Sequence, residues 1–462
     1  MENGRVLHLI KRSAEQKGSY VLYFLQQAQR YAYNHALEFA IQKANQSNQE
    51  LICFFGLTSN YPEANLRHYQ FMIEGLVELS VKLREKGIRF DIVLASPEVG
   101  ILPYLKEAST VIFDIGYTKI QRYWRKEIYH EIMIHHPSVD LYSVETDSII
   151  PVKIASDKEE YGAYTIRNKL HKQLPNFTSK VSLPLINKQS NELKTYSVSD
   201  LLSRLELDKT IQPSPIYHGG YTEAKKQLDL FIQYGLPNYL LSNDPSSDFT
   251  SKMSMYLHFG QISSLEIYHH ILESNASEEN KNAYIEQLLV RRELANNYIF
   301  YNHHYDTFGG ITEKWAYLTM SDHLEDKRAY LYTVEDYTEF NTHDPYFNAA
   351  MKQMVYTGYM HNYMRMYWAK KIIEWSPSYE IAYENIKKLN NTYFLDGRDA
   401  LSFTGIAWCF GKHDRPWTER EIFGKLRYMN DSGLRRKFNI EEYVLKMNQL
   451  EQSILNGTQT TV

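Results

Sequence analysis

Residues 20–30 read YVLYFLQQAQR: six aliphatic and aromatic residues, then a run of glutamines closed by an arginine. An apolar hexamer bounded by polar residues is too short for a buried helix and reads as a strand covered on both faces. A helical stretch follows over 31–45, then a second apolar run at 51–57 (LICFFGL) and a helix over 69–86 with apolar residues three and four apart. Shorter apolar runs recur at 90–94, 111–113 and 141–144. Strands alternating with helices at this spacing predict βαβ units and a Rossmann-like parallel sheet. The first strand leads into QQAQ where a dinucleotide-binding domain carries G-x-G-x-x-G. The layer fold is therefore expected without that phosphate loop.

Beyond residue 151 the character changes. Residues 175–225 are polar and interrupted by Pro175, Pro184, Pro213 and Pro215, as a linker laid over a surface would be. From Tyr239 to about Met447 the pattern is helical, most clearly over 265–273, 282–301, 348–375 and 379–389. The expected division is an α/β domain over 1–175, a linker over 176–225, an all-helical domain over 226–448 and a disordered tail over 449–462.

With 462 residues, 43% hydrophobic and 23% charged, the chain suits two globular domains. The net charge of −4 supplies no overall cationic field, so any polyanion site must be local. Cys53 and Cys409 are the only cysteines, which excludes a disulfide framework and cysteine-built metal centres; no metal site is expected. No 18-residue apolar run occurs, so the expectation is a cytoplasmic chain without membrane spans, with a monomer as default. Tyrosine is abundant, with 38 Tyr beside 20 Phe and 6 Trp. Most of these rings are expected to fill cores, and a minority to bind flat ring systems or carry electrons.

Two segments concentrate the chemistry. In 356–375 (YTGYMHNYMRMYWAKKIIEW), Trp368 and Trp375 lie seven residues apart, on one helix face and about 10 Å along the axis, a spacing that suits either electron hopping or plain packing. Arg365 on the same helix needs a carboxylate if buried, and Asp396 or Asp399 in LDGRD could supply it. Residues 411–437 carry eight basic against four acidic side chains, interleaved with Trp417 and Tyr428 and preceded by Trp408. Such a mixture fits a phosphate-binding rim with stacking rings, and equally a solvated helical face. Residues 256–264 (YLHFGQISS) place a glycine and two hydroxyls at a helix start, where phosphate binding and simple capping compete. Neither H-E-x-x-H nor G-x-S-x-G occurs, which argues against metal and serine hydrolases.

Taken together, YLHFGQISS, THDPYFNAA, GYMHNYMRMYWAKKIIEW, LDGRD, GIAWCFGKHDRPW and GKLRYM resemble the class II cyclobutane pyrimidine dimer photolyases of the photolyase/cryptochrome family. The likeness is collinear from about residue 16 to 445 and includes YVLYFLQQAQR, RHYQFM and EYGAYTIRNKL. It implies an N-terminal antenna domain, a helical domain holding a U-shaped FAD, and light-driven electron transfer from reduced FAD to a flipped-out dimer in UV-damaged DNA. By motif, Tyr239, Thr250, Ser251, Lys252, Met253 and Ser254 would line the FAD phosphates and ribityl chain. Arg365 and Asp396 would pair beside the isoalloxazine, and Asn390 would face its N5. Met366 and Trp408 would touch the lesion, with Arg415, Trp417 and Arg427 on the DNA rim. Trp368 and Trp375 would be the inner and outer ends of the photoreduction chain.

The departures from the family pattern fall on the lesion side and on electron supply. The middle tryptophan of the chain is Phe347, leaving Tyr346, Tyr356 or Tyr367 as substitutes. The lesion-side glutamate and tryptophan are Gln287, which can only hydrogen-bond, and Arg291, which can stack or hold a phosphate and is assigned to the DNA contacts. Ser242 stands where the family has an arginine, and Ala28 replaces an acidic residue of the antenna loop, so a deazaflavin or folate antenna is optional. The leading expectation is a photolyase. The alternatives are a cryptochrome-like photoreceptor or non-repairing homologue, and a light-independent flavin oxidoreductase.

Overall fold

The computed structural model describes residues 4–13, 15 and 18–457, and six strands form one sheet in the order β1-β6-β5-β2-β3-β4. They are β1 (Val6–Ile10), β2 (Tyr20–Phe24), β3 (Glu50–Gly56), β4 (Arg89–Val93), β5 (Ala108–Asp114) and β6 (Asp140–Val144). Strands β2 to β6 run parallel, and β1 closes the β6 edge antiparallel. Alternate residues of β2 feed opposite cores. Val21 and Tyr23 pack with Cys53, Phe55 and Leu76 against the helices His35–Gln46 and Leu66–Glu85. Leu22 and Phe24 pack with Phe54, Trp124 and Ile128 against the helix Lys119–His135.

The loop after β2 explains the missing glycine motif. Asp114, at the end of β5, accepts the backbone N–H groups of Gln26, Gln27 and Ala28 at 3.1, 3.0 and 2.7 Å. The amides that a glycine-rich loop turns toward a phosphate are here taken by a buried carboxylate.

The helical part approaches this same loop. Gly260 has φ +64°, and a Cβ there would meet the Gln27 carbonyl oxygen at 1.9 Å, so only glycine fits. Arg30 donates to the Gly260 carbonyl at 3.0 Å, and Arg292 pairs with Asp147 at 2.8 Å. Ile149, Ile150, Ile166 and Leu170 share a core with Leu228, Ile267 and Leu289, so the end of the 1–175 segment packs into the helical part. Residues 176–220 are mostly irregular and return over the sheet layer, where Ile186, Leu201 and Leu205 join its core.

Three helical expectations are corrected. The pattern read over 348–375 is two helices, Pro345–Thr357 and Asn362–Trp375, because Gly358 turns left-handed (φ +79°) and ends the first. The segment read over 282–301 contains a π-helical insert at Glu286–Arg291 between the α-helices Glu278–Ile285 and Arg292–Tyr301. The tail expected over 449–462 is helical through Leu455, within Ile440–Leu455, because Tyr443, Met447 and Leu450 at helical spacing bury one face; 458–462 lies outside the described residues. Among the described residues no helix is long and apolar enough to cross a membrane.

Candidate functional site

The side chains singled out for cofactor binding all lie in the helical part, in several separate pairs. Arg365, on the helix Asn362–Trp375, pairs with Asp396 at 2.9 Å and donates to the Met360 carbonyl at 3.0 Å. Its guanidinium lies 4.0 Å from the Phe394 ring centroid and 5.7 Å from that of Tyr359. Burial pushes the Asp396 carboxyl up, but the Arg365 charge and hydrogen bonds from Arg365 and Ser254 outweigh it and hold the group below the usual carboxylate range. Thr250 bonds the Tyr359 hydroxyl at 3.0 Å, and the Tyr239 ring packs on Tyr284 at 5.2 Å. Lys252 adopts φ +56° and pairs with Asp248 at 2.7 Å; Met253 is buried behind it.

Asn390 comes from the helix Tyr379–Tyr393. Its Nδ2 donates to Ser402 Oγ at 2.6 Å and to Asn391 Oδ1 at 2.9 Å. The Asn390 Oδ1 is thereby left as the acceptor that this side chain can offer. Ser402 sits on the helix Ala400–Cys409, whose Leu401 and Gly405 are exposed and whose Trp408 is half-buried. A Cβ on Gly405 would meet nothing within 4 Å, so the helix presents an open face at that position. Asp399 caps the helix; burial raises its carboxyl to about 7, with Arg292 opposing, and His258, 3.8 Å away, is lowered by burial to about 3.

Trp368 is buried, its Nε1 donates to Met351 Sδ at 3.0 Å, and its ring meets Phe394 edge-on at 6.0 Å. Trp375 packs on Phe347 at 5.1 Å and on Tyr332 at 5.3 Å. The three candidate substitutes stand elsewhere: the phenols of Tyr346, Tyr356 and Tyr367 bond Glu441, Glu451 and Asp344. None of the three rings stacks on Trp368 or Trp375 among the described residues. The neighbours are instead Tyr332 and Tyr337, the latter 5.2 Å from Phe347, and no sequence signal distinguished them.

The basic segment forms one ring-and-guanidinium stack. Arg427 lies 4.2 Å from the Trp417 centroid and 5.2 Å from that of Trp408, and pairs with Asp414 at 3.0 Å. Arg415 lies 5.3 Å from Trp417, and both are exposed. Met366 is half-buried on the same helix as Arg365. Gln287 and Arg291 are both exposed on the π insert; Arg291 stands 3.5 Å from Glu286, which Arg167 already holds at 2.7 and 3.0 Å. Ser242 gives its carbonyl to His361 Nε2 at 2.9 Å. At the YLHFGQISS helix start, Ser263 caps Leu265 N–H and Ser264 bonds the Asp147 carbonyl, so those hydroxyls serve packing between the two parts. Ser402, Tyr359, Phe394 and Gly405 were not foreseen; Leu401, Gly405 and Trp408 at helical spacing were the available signal.

Known proteins align with this picture. The DNA photolyase family model matches residues 21–187. A deoxyribodipyrimidine photo-lyase of Methanothermobacter thermautotrophicus is 42% identical over 442 residues, covering 95% of this chain and 97% of the relative. One from Potorous tridactylus is 35% identical, covering 92% and 81%. Among solved structures, a class III photolyase from Agrobacterium tumefaciens superposes with TM-score 0.73 at 18% identity, covering 94% and 87%. A Synechocystis cryptochrome gives TM-score 0.71 at 15% identity, covering 95% and 89%. Sequence kinship over nearly the whole chain, with the matching two-part fold, makes this protein a member of the deoxyribodipyrimidine photo-lyase family.

Proposed function

We propose that the chain is a light-driven DNA photolyase of class II type that splits cyclobutane pyrimidine dimers and uses FAD. The observation that carries this reading is the 42% identity to a deoxyribodipyrimidine photo-lyase over 95% of the chain, and the pairs Arg365–Asp396, Asn390–Ser402 and Thr250–Tyr359 in the helical part support it. Reduced FAD, when bound and excited by light, supplies one electron to the dimer and recovers it once the ring has opened.

The chain's own groups fit that chemistry. The Asn390 carbonyl oxygen accepts a hydrogen bond, as the N5–H of a reduced flavin requires. Thr250, Ser251 and Ser254 would offer hydroxyls to the phosphates and ribityl chain, while Arg365, held by Asp396, would place a charge beside the ring system. Met366 and Trp408 would receive the flipped-out lesion, and Arg415, Trp417 and Arg427 would grip the DNA backbone. Gln287 would hydrogen-bond the dimer without donating a full proton, and Arg291 would contact phosphate. Trp368 and Trp375 would pass electrons inward when oxidised flavin is photoreduced.

The test is direct: reduce the purified protein, add an oligonucleotide containing a dimer, illuminate with blue light and measure restored thymines. Absence of repair removes the proposal. A second reading, a photoreceptor of cryptochrome type or a non-repairing homologue, is favoured by Gln287, Arg291, Ser242 and Phe347, which all depart from the repair pattern. It requires flavin and light-driven reduction but equal affinity for damaged and intact DNA, which a competition binding assay measures.

A further inference from the structure

The family resemblance assigns two tryptophans to the neighbourhood of the proposed flavin site, and their electrostatic surroundings differ. Trp368 has no cation over its ring among the described residues, and its N–H rests on a methionine sulfur. Trp408 has two: Arg427 Cζ at 5.2 Å and Lys370 Nζ at 5.8 Å from its centroid. Lys370 has no exposed surface at all. Its ammonium donates one hydrogen bond, 2.5 Å to the Cys409 carbonyl, and lies 5.9 Å from the Phe423 ring; no carboxylate pairs with it among the described residues. A fully buried ammonium without a carboxylate partner is costly, and Met or Leu would fill the space without that penalty. The next residue, Lys371, shows the ordinary arrangement: it lies 5.5 Å from the Trp375 centroid, but Glu374 neutralises it at 2.8 Å.

We propose that Lys370 is a positioning residue for photoreduction: its buried charge makes Trp408 the harder of the two indoles to oxidise, the Arg427 charge being held by Asp414. A cation near an indole face stabilises the neutral ring and destabilises its radical cation. When oxidised flavin bound in the site absorbs light, one electron leaves a tryptophan and is taken up by the flavin. With Trp408 guarded, that electron comes from Trp368, and the hole moves outward toward Trp375. Without the guard it comes from Trp408, whose way outward to Trp417 is blocked by the intervening Arg427 cation, and the charge pair recombines. This inference rests on the flavin reading of the site.

The test is flash spectroscopy of the oxidised holoprotein, reading the yield of long-lived tryptophanyl radical. Lys370→Met is expected to lower that yield roughly tenfold, the scale of a desolvated cation–π interaction. Adding Trp408→Phe to Lys370→Met is expected to restore it, which a merely structural defect would not allow. The unmutated protein provides a second measurement. Burial lowers the Lys370 ammonium to about 8, while Arg427, Asp414 and the Cys409 thiol are the other ionisable groups that face it. The yield should therefore fall as pH rises through about 8, and stay flat in Trp408→Phe. An unchanged yield in Lys370→Met, or a double mutant as poor as the single, overturns the proposal. A purified chain that binds no FAD overturns the functional reading itself, a separate outcome visible in the absorption spectrum.

Discussion

Replacing Asp396 by Asn keeps the volume and one acceptor but strips the Arg365 guanidinium of its counter-charge. At 2.9 Å and an effective dielectric near 20, the gross attraction is about 6 kcal/mol. Desolvation of both ions offsets about half of it, since Asp396 is buried and Arg365 only partly exposed, leaving a coupling of about 3 kcal/mol. The measurement is a double-mutant cycle of the parent, Arg365→Met, Asp396→Asn and the double variant, each unfolded in urea at pH 7 and followed by circular dichroism. The double variant should lose about 3 kcal/mol less than the two singles summed. Because Asp396 titrates below its unfolded value, its contribution is full above the ordinary carboxylate pKa and fades as pH falls through the depressed folded one. The penalty of Asp396→Asn should shrink in acid accordingly. Singles that add to within about 0.5 kcal/mol, or a penalty that persists at low pH, would refute this reasoning.

Gly405→Ala should stabilise the helix by about 0.5–1 kcal/mol because its Cβ meets nothing, read as a raised urea midpoint. Burial lifts the Glu293 carboxyl to about 8, so the folded state holds a proton that the unfolded state releases; stability should fall as pH rises from the ordinary carboxylate value through about 8. Glu293→Gln should flatten that slope and add about 3 kcal/mol near pH 7, measured by urea midpoints. Phe347→Trp should cost about 1–3 kcal/mol by overpacking and speed flavin photoreduction by placing an indole beside Trp375; a folded variant with an unchanged rate would count against the hopping route.

Particular residues show what local pattern could and could not convey. β2, β3 and β5 were readable because both faces of each are buried, leaving unbroken apolar runs. β1 (VLHLI) lies at the sheet edge with its middle residues exposed, and its pairing to β6 depends on chain more than a hundred residues away. The break at Gly358 was hidden because GYMHNYM continues the helical period on both sides. The Arg365–Asp396 pair followed from the need of a buried cation for a carboxylate, but Asp399 satisfied that need equally on paper. Only the three-dimensional turn at LDGRD assigns Asp396 to the arginine and Asp399 to a helix cap. The guard around Trp408 was equally out of reach, since Lys370 and Lys371 look alike in sequence and face different rings.

The π insert at Glu286–Arg291 gives this stretch of chain an unusual tolerance to the loss of one residue. A regular helix answers a one-residue deletion by rotating its downstream part about 100° around the axis, whereas the wide turn here already holds one surplus residue. Removing one of the six would let a regular helix form with everything after Arg291 keeping its orientation. Arg292 would keep Asp147, Glu293 the Ile149 amide, and Asn297 the Glu160 amide and Lys158 carbonyl. Side-chain exchange at the exposed positions 287 and 291 leaves those joints intact as well. The segment can therefore shorten by one residue or change its exposed side chains without disturbing how this helix meets the α/β part.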